Sequence, residues 1–586
     1  MRRFRVWWLP IEVAFRADAR RAIAVPALAV VAGLGGILHA LGLKWLVDGV
    51  SAGAAEATVA AALVLAGMIT FVHLIGTAGA RVRMAFQQKV AFELDRRVLQ
   101  MCTRVPEIAH YEDPGYLDRI EVLRETRGEL GTTYGQLLQG LRGAVQMCGI
   151  LALLAALDPR LLLLPAFAVP AALATARGER VLQEAEEAVA PDARAHHALV
   201  TLATSAAAGK ELRIYGLARE LAARCERLVL SVQGRRRGAE RTAALWTATG
   251  RLAFTAGFLG ALTLAATGRA GAGDVALVLV LAGQLDGTAG TLIGLYSSLR
   301  RSAHAARHYF WLAGYSPAGP SSPAVPLPLT SGGEIALDHV SFRYPGAANP
   351  VLRDVSLRLT SGSVVAVVGE NGAGKSSLVK LLCGLYHPTE GTIRYGGAGI
   401  TAYGLAAWQE RLSAGFQDFC RLELVTRASV GVGDLPRADD EPAVLAALAD
   451  AGAERLVGDL PAGLATQLGT SFENGVELSG GQWQWIALGR AAMRAEPILR
   501  VLDEPTSGLA PEAEHALFTR YAALARRPGH RTITVMVSHR FSTVRMADVI
   551  VVLDAGRLVE LGDHATLMAA GGRYAELYRL QARGYR

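Results

Sequence analysis

The stretch Val364–Leu382 reads VVAVVGENGAGKSSLVKLL: β-branched apolar residues, a glycine-rich turn, then apolar residues at helical spacing. Within it Gly369, Gly374, Lys375 and Ser376 satisfy G-x-x-x-x-G-K-[ST], in the strand-before, helix-after setting that gives the motif its meaning. Gly372 and Gly374 let the backbone bend so that successive N–H groups face inward at a helix N-terminus, where the helix dipole also favours an anion. The run Gly369, Glu370, Asn371, Gly372, Ala373, Gly374, Lys375, Ser376, Ser377 is therefore expected to cradle nucleotide phosphates. Lys375 should reach the terminal phosphates, and the Ser376 hydroxyl should sit on Mg²⁺.

Downstream, further elements point to the same chemistry. Gln417, in Phe416-Gln417-Asp418, ends a short apolar run and is placed for Mg²⁺ or for an attacking water. Leu478-Ser479-Gly480-Gly481-Gln482 puts a hydroxyl and glycine amides at a second helix start, a second anion site. Since it opens a different helix from Lys375, it is expected to complete the site of another copy. Residues 498–502 form an apolar strand ending in Asp503 and Glu504, the first to hold Mg²⁺ and the second to act as general base. His539 follows another apolar strand and is placed for the γ-phosphate. Upstream, Tyr344 ends a strand and is a candidate to stack on adenine.

The chain has 586 residues, more than one core can organise. Hydrophobic residues make up 51%, and the mean hydropathy of +0.28 is high for a soluble enzyme, so part of the chain should face lipid. The net charge of +8 comes largely from arginines beside apolar runs, a membrane-orienting bias rather than a nucleic-acid footprint. Five scattered cysteines without C-x-x-C spacing indicate neither a disulfide framework nor zinc. The N-terminal MRRFRVWWLP places basic residues beside Trp7 and Trp8, as in a segment lying on the cytoplasmic leaflet.

Six apolar segments, at about 22–43, 57–80, 142–157, 161–176, 243–267 and 275–295, read as membrane spans. The third and fourth, split by Asp158-Pro159-Arg160, should form a tight hairpin. Arginines cluster before the first span, after the second and fourth, and before the fifth, which puts both termini in the cytoplasm. The connections 81–141 and 177–242 should be helical extensions turning at 109–120 (AHYEDPGYLDRI) and 208–217 (AGKELRIYGL). Arg251 and Asp286, inside spans, either pair with each other or line a cavity beside Gln284. Residues 316–333, rich in Pro, Ser and Gly, mark a linker between a membrane domain at 1–315 and a nucleotide-binding domain at 334–586.

Together these residues resemble the ATP-binding cassette (ABC) transporters, in the exporter layout of a six-helix membrane domain fused to one cassette. The expected fold is an α-helical membrane domain with long cytoplasmic extensions, followed by an α/β P-loop ATPase domain. The resemblance implies ATP and Mg²⁺ as cofactors and Tyr344 as the adenine-stacking residue. It makes Gln417 the Q-loop, Ser479 to Gln482 the signature acting in trans, Glu504 the catalytic base and His539 the switch histidine. It also implies that 109–120 and 208–217 are coupling regions, the second reaching the partner's nucleotide domain. The working unit would be a dimer, an identical second copy being favoured over a different half-transporter, embedded in lipid and without nucleic acid.

Three positions depart from the pattern. Ala510 stands where the family usually has Asp, Arg500 interrupts a strand that should be apolar, and Trp485 stands where a basic residue often follows the signature. The expected activity is ATP-driven export across a bacterial plasma membrane by alternating access. With no protease-like domain read before the spans, this chain is not expected to cleave a leader peptide itself. The stretches AHYEDPGYLDRI, KELRIYGL and FQDFCRLEL resemble bacterial exporters of peptide antibiotics, so the cargo is expected to be a modified peptide. The alternatives are a lipid or drug, or a membrane regulator that moves nothing.

Overall fold

The computed structural model describes residues 2–205, 208–267, 271–315, 325–328, 332–505, 511–525, 531–538 and 540–584. The chain divides into two compact units, Met1–Cys102 with Arg119–Gly314, and Thr103–Asp118 with Tyr315–Arg586. Most of the expected linker lies outside the described residues.

The first unit is built from α1 (Arg2–Ser51), α2 (Ala55–Thr103), α3 (Pro114–Leu157), α4 (Leu164–Thr204), α5 (Gly209–Ile214), α6 (Ala218–Thr267) and α7 (Ala272–Ala313). Asp18 breaks α1 with φ −167° and ψ 92°, so its first turns leave the axis of the rest. Its carboxylate accepts from Lys89 Nζ of α2 at 3.0 Å, which fixes that break. Between α3 and α4, Asp158 caps a 3-10 turn by accepting from the Arg160 amide at 2.8 Å, the role its Asp-Pro context favours. A core drawn from five helices joins Ala40, Ile150, Leu154, Leu164, Phe254 and Leu281. Lys44 pairs with Asp274, and the Asp48 carboxylate accepts from the Gly273 amide at 3.0 Å, tying the end of α1 to the start of α7.

Among the described residues, five helices are long and apolar enough to cross a membrane: α1 to α4 and α7. The segment expected as a span over 243–267 forms the last part of α6. No ion pair joins Arg251 to Asp286 among the described residues, so the pairing alternative is not what the structure shows. Gln284 is instead the polar tie: its amide donates to the Gly36 carbonyl at 3.1 Å and accepts from Gln146 Nε2 at 3.3 Å.

The second unit holds two sheets. One is antiparallel, ordered β2–β1–β4–β5, from β1 (Ile335–Phe342), β2 (Leu352–Leu359), β4 (Glu390–Tyr395) and β5 (Ala398–Gly399). The other is ordered β10–β9–β3–β8–β7–β6, from β3 (Val364–Val368), β6 (Leu412–Gly415), β7 (Leu499–Asp503), β8 (Ile533–Val537), β9 (Val549–Asp554) and β10 (Arg557–Gly562). All its pairings are parallel except β9 with β10. Every residue of β3, β7 and β8 is buried, as continuous β-branched and apolar runs require in a covered parallel sheet. Helix α8 (Lys375–Leu382) follows β3. Helix α9 (Leu405–Gln409) precedes β6, and a helical part follows it: α10 (Thr426–Gly431), α11 (Glu441–Asp450), α12 (Glu454–Asp459) and α13 (Gly480–Ala492), with its own core around Trp483, Ile486 and Leu448.

A linear cut at 315 omits one feature: residues 103–118 pack within the second unit. The Ile108 amide donates to the Leu385 carbonyl at 3.1 Å, Gln409 Nε2 donates to the Pro106 carbonyl at 2.8 Å, and His387 Nε2 meets Glu107 Oε1 at 2.8 Å. Glu107 raises the pKa of His387 through that hydrogen bond, against burial. A raised histidine pKa gives its full stabilisation below the unfolded value and loses it as pH rises through the folded one. Burial lowers the pKa of His110, so its charging falls below this window. Hydrogen exchange at Ile108, corrected for intrinsic rate, should therefore lose protection as pH rises above about 6.5. In His387→Gln that dependence should vanish; a slope that survives would assign it to another group.

Candidate functional site

Four parallel strands end side by side in the order β3, β8, β7, β6, and polar groups gather at their C-terminal ends. Open α/β sheets bind ligands in this place because buried strands can release polar side chains only where they stop. From β3 the chain passes through Gly369 (φ 153°) and Gly374 (φ 98°) into α8. A Cβ at Gly369 would lie 2.2 Å from the Leu553 carbonyl oxygen, and one at Gly374 would lie 2.6 Å from Leu352 Cδ2, so only glycine passes at either point.

Lys375 is buried under this turn and donates to the carbonyls of Gly369 and Glu370, both at 2.9 Å. Burial pushes its pKa below the ordinary lysine value, while the charges of Glu504 and Asp503 pull it back up. Ser376 Oγ donates to Asp503 Oδ1 at 3.4 Å. Asp503 is itself buried, and burial raises its pKa despite that hydrogen bond. Glu504, the next residue, has φ 46°, a left-handed conformation that costs a non-glycine residue roughly 1–3 kcal/mol, and its amide donates to the Val537 carbonyl at 3.1 Å. Gln417 lies exposed just past the end of β6, the strand beside β7. The donor set of Ser376 hydroxyl, Asp503 carboxylate and Gln417 amide is all oxygen, which suits a hard cation such as Mg²⁺.

Tyr344 stands half-buried after β1; its hydroxyl is 3.0 Å from Ser377 Oγ, and Lys380 Nζ lies 5.5 Å from its ring centroid. Glu370, expected among the phosphate contacts, turns its side chain to Arg573 of the last helix (Arg573–Gly584) at 2.5 Å. Ser479 N-caps α13: its hydroxyl accepts from the Gln482 amide at 3.3 Å, and Gln482 Oε1 accepts from the Ser479 amide at 2.9 Å. Ser479 and Gly480 are exposed, and among the described residues no hydrogen bond joins 479–482 to 369–377. His539 and Ala510 lie outside the described residues.

Sequence reasoning missed Gln484, buried on α13, whose Nε2 donates to the Pro505 carbonyl at 2.5 Å. It ties the second anion helix to the residue after Glu504. A glutamine on the apolar face of an amphipathic helix is the signal that pointed to it. Arg500, the polar interruption in β7, is buried; its Nη2 donates to the Arg494 carbonyl at 2.9 Å and its guanidinium lies 5.5 Å from the Tyr521 ring. Trp485 is half-buried, packs against Gly452 and belongs to the cores on both sides of α13.

Residues 352–507 match the family model described as ABC transporter. Residues 352–507 are thus similar to an ABC transporter cassette, and a domain of long helices precedes them in the same chain.

Over the whole chain the fold is that of "a bacterial Atm1-family ABC exporter with ATP bound", at TM-score 0.80 and 22% identity, covering 96% of this chain and 98% of that one. An ATP-dependent lipid A-core flippase of Albidiferax ferrireducens is 42% identical over 253 residues, 43% of this chain and 42% of the relative. The nisin transport ATP-binding protein NisT of Lactococcus lactis subsp. lactis is 35% identical over 246 residues, 42% of this chain and 40% of the relative. The chain spans about two-fifths of the length of the curated relatives it matches.

Arg500 gives a stability prediction. Its Nε is buried without a hydrogen-bond partner, and burial lowers its pKa. Replacing such a poorly compensated buried charge by an apolar side chain of similar length is often neutral or stabilising. Thermal unfolding of Arg500→Met should show a midpoint equal to or above that of the parent chain. A loss of more than about 2 kcal/mol would mean that its single hydrogen bond and ring contact outweigh desolvation.

Proposed function

We propose that this chain is one half of a dimeric exporter that hydrolyses ATP and works by alternating access. One observation carries the reading: Lys375, Ser376, Asp503 and Glu504 converge at one sheet end, while the exposed helix start at Ser479 stays apart, a half-site without its other half. In a dimer each ATP would lie between one copy's Gly369–Ser377 turn and the other copy's Ser479–Gln482. The exposed tip after α5, where Ile214 is 79% and Tyr215 69% exposed, supplies an apolar surface suited to the partner's nucleotide domain. An identical second copy is the simplest partner.

Lys375 and the turn's amides would hold the β- and γ-phosphates, and Tyr344 would take the adenine. Ser376, Asp503 and Gln417 would hold Mg²⁺, which supplies charge neutralisation at the phosphates. Glu504 would orient and polarise the attacking water, with His539 toward the γ-phosphate. Closure of the two nucleotide domains would pull on the coupling segments and turn the cavity outward, and release of ADP and phosphate would reset it. The arginine distribution supports a reading in which both termini and the ATPase domain lie on the cytoplasmic side of a bacterial plasma membrane.

For the cargo, the likeness of 109–120 and 210–217 to antibiotic-peptide exporters, together with NisT among the relatives, supports a modified peptide. A lipid is the second reading. It is favoured by a cavity of about 560 Å³ between α1 and α2 lined by Gly35, Met68, Ile69 and Val72.

In the reconstituted dimer Glu504→Gln should cut ATP turnover by at least about a hundredfold while MgATP binding persists. Unchanged turnover would remove Glu504 from its role.

A further inference from the structure

The last helix begins against the phosphate turn. Its first residue, Arg573, donates from Nη2 to Glu370 Oε1 at 2.5 Å and from Nη1 to Glu576 Oε2 at 2.7 Å. Its Nε lies 3.8 Å from Oδ2 of Asp554, the last residue of β9. Glu370 follows Gly369, and its carbonyl closes the turn by accepting from the Ala373 amide at 3.1 Å and from Lys375 Nζ at 2.9 Å. One residue thus has its main chain on the phosphate lysine and its side chain on a helix 203 residues away.

The start of that helix is fixed independently of Glu370. Glu560 of β10 accepts from the amides of Arg573 and Tyr574 at 2.6 and 2.9 Å, and a Cβ at Gly572 would lie 1.8 Å from Glu560 Oε1. Tyr574 is fully buried in a core with Val368 of β3 and Val552 of β9, and its hydroxyl is 2.8 Å from His564 Nδ1. The guanidinium is therefore set in place before it meets Glu370, which lowers the ordering cost of the contact.

Charge explains what the contact does. The carboxylates of Glu370, Asp554 and Glu576 surround one guanidinium, and among the described residues no other base pairs with Glu370. Glu370 precedes Gly372 by two residues, a reach of at most roughly 7 Å along the chain. That is within the Debye length of about 8 Å at physiological ionic strength. A carboxylate left unpaired there would repel a triphosphate held by the turn.

We propose that Arg573 is a positioning residue for ATP: it neutralises the Glu370 carboxylate and holds it off the phosphate turn, so that the last helix sets the nucleotide affinity of its own copy's site. The proposal rests on the ATPase reading and adds to it a residue outside the motifs. Arg573 acts through Glu370, and its other role would be to anchor the helix alone.

The test compares MgATP binding and steady-state ATPase of the full-length protein in detergent for Arg573→Gln, Glu370→Gln and the double variant. Arg573→Gln should raise Kd and KM for MgATP by about three- to tenfold while kcat changes by less than about twofold, and at 1 M salt, where the Debye length is about 3 Å, the Kd difference should fall below about twofold. Glu370→Gln should bind MgATP more tightly than the parent chain, and combined with Arg573→Gln it should return the affinity to about the parental value. Since Glu370→Gln leaves the bonds of Arg573 to Glu576 and Glu560 in place, it tests the charge argument even where Arg573→Gln folds poorly. An unchanged Kd in Arg573→Gln, weaker or equal binding by Glu370→Gln, or a double variant as weak as Arg573→Gln at both salt concentrations would overturn the proposal and leave Arg573 an anchor. A parent chain without affinity for MgATP would instead overturn the nucleotide reading of the site, and the proposal with it.

Discussion

The structure depends on how a wholly buried parallel sheet carries charge. Strands β3, β7 and β8 are buried along their full length, and apart from Arg500 their charged groups stand where the strands stop. Lys375, Asp503 and Glu504 meet there, and desolvation acts on the first two in opposite senses, lowering the lysine and raising the aspartate. Each charge is poorly served by the protein alone. A polyanion carrying a divalent cation would supply what both lack. The left-handed Glu504 fits this view: strain of roughly 1–3 kcal/mol is tolerated where the backbone bond to Val537 and the neighbouring strands over-determine the turn.

The second anion helix has the reverse design. Its Ser479–Gln482 capping box satisfies two backbone donors from within, leaving the glycine amides of the first turn at the surface. Such an end is stable without a ligand and ready for an anion delivered from outside. Gln484, one turn further along the same helix, holds the Pro505 carbonyl beside Glu504. A disturbance at the helix start therefore has a short mechanical route to the carboxylates of its own copy.

What the sequence made legible was local. The phosphate turn, Ser479–Gln482 and Asp503-Glu504 are read from spacings of a few residues, which fix strand, turn and helix together. Contacts between groups remote in sequence were not legible. Glu107 and His387 are 280 residues apart, and nothing in AHYEDPGYLDRI says which surface it will meet. Arg500 looked like a fault in a strand because its partners, the Arg494 carbonyl and the Tyr521 ring, arrive from a loop and a separate helix.

Helix α3 connects these themes through covalent continuity. It begins at Pro114, inside the segment that packs with the nucleotide-binding domain, and carries Arg142 into the lining of the cavity between α1 and α2. The intervening 28 residues span roughly 42 Å of helix. Between them stands no proline that would kink the rod. A helix of that length bends far less easily than a loop.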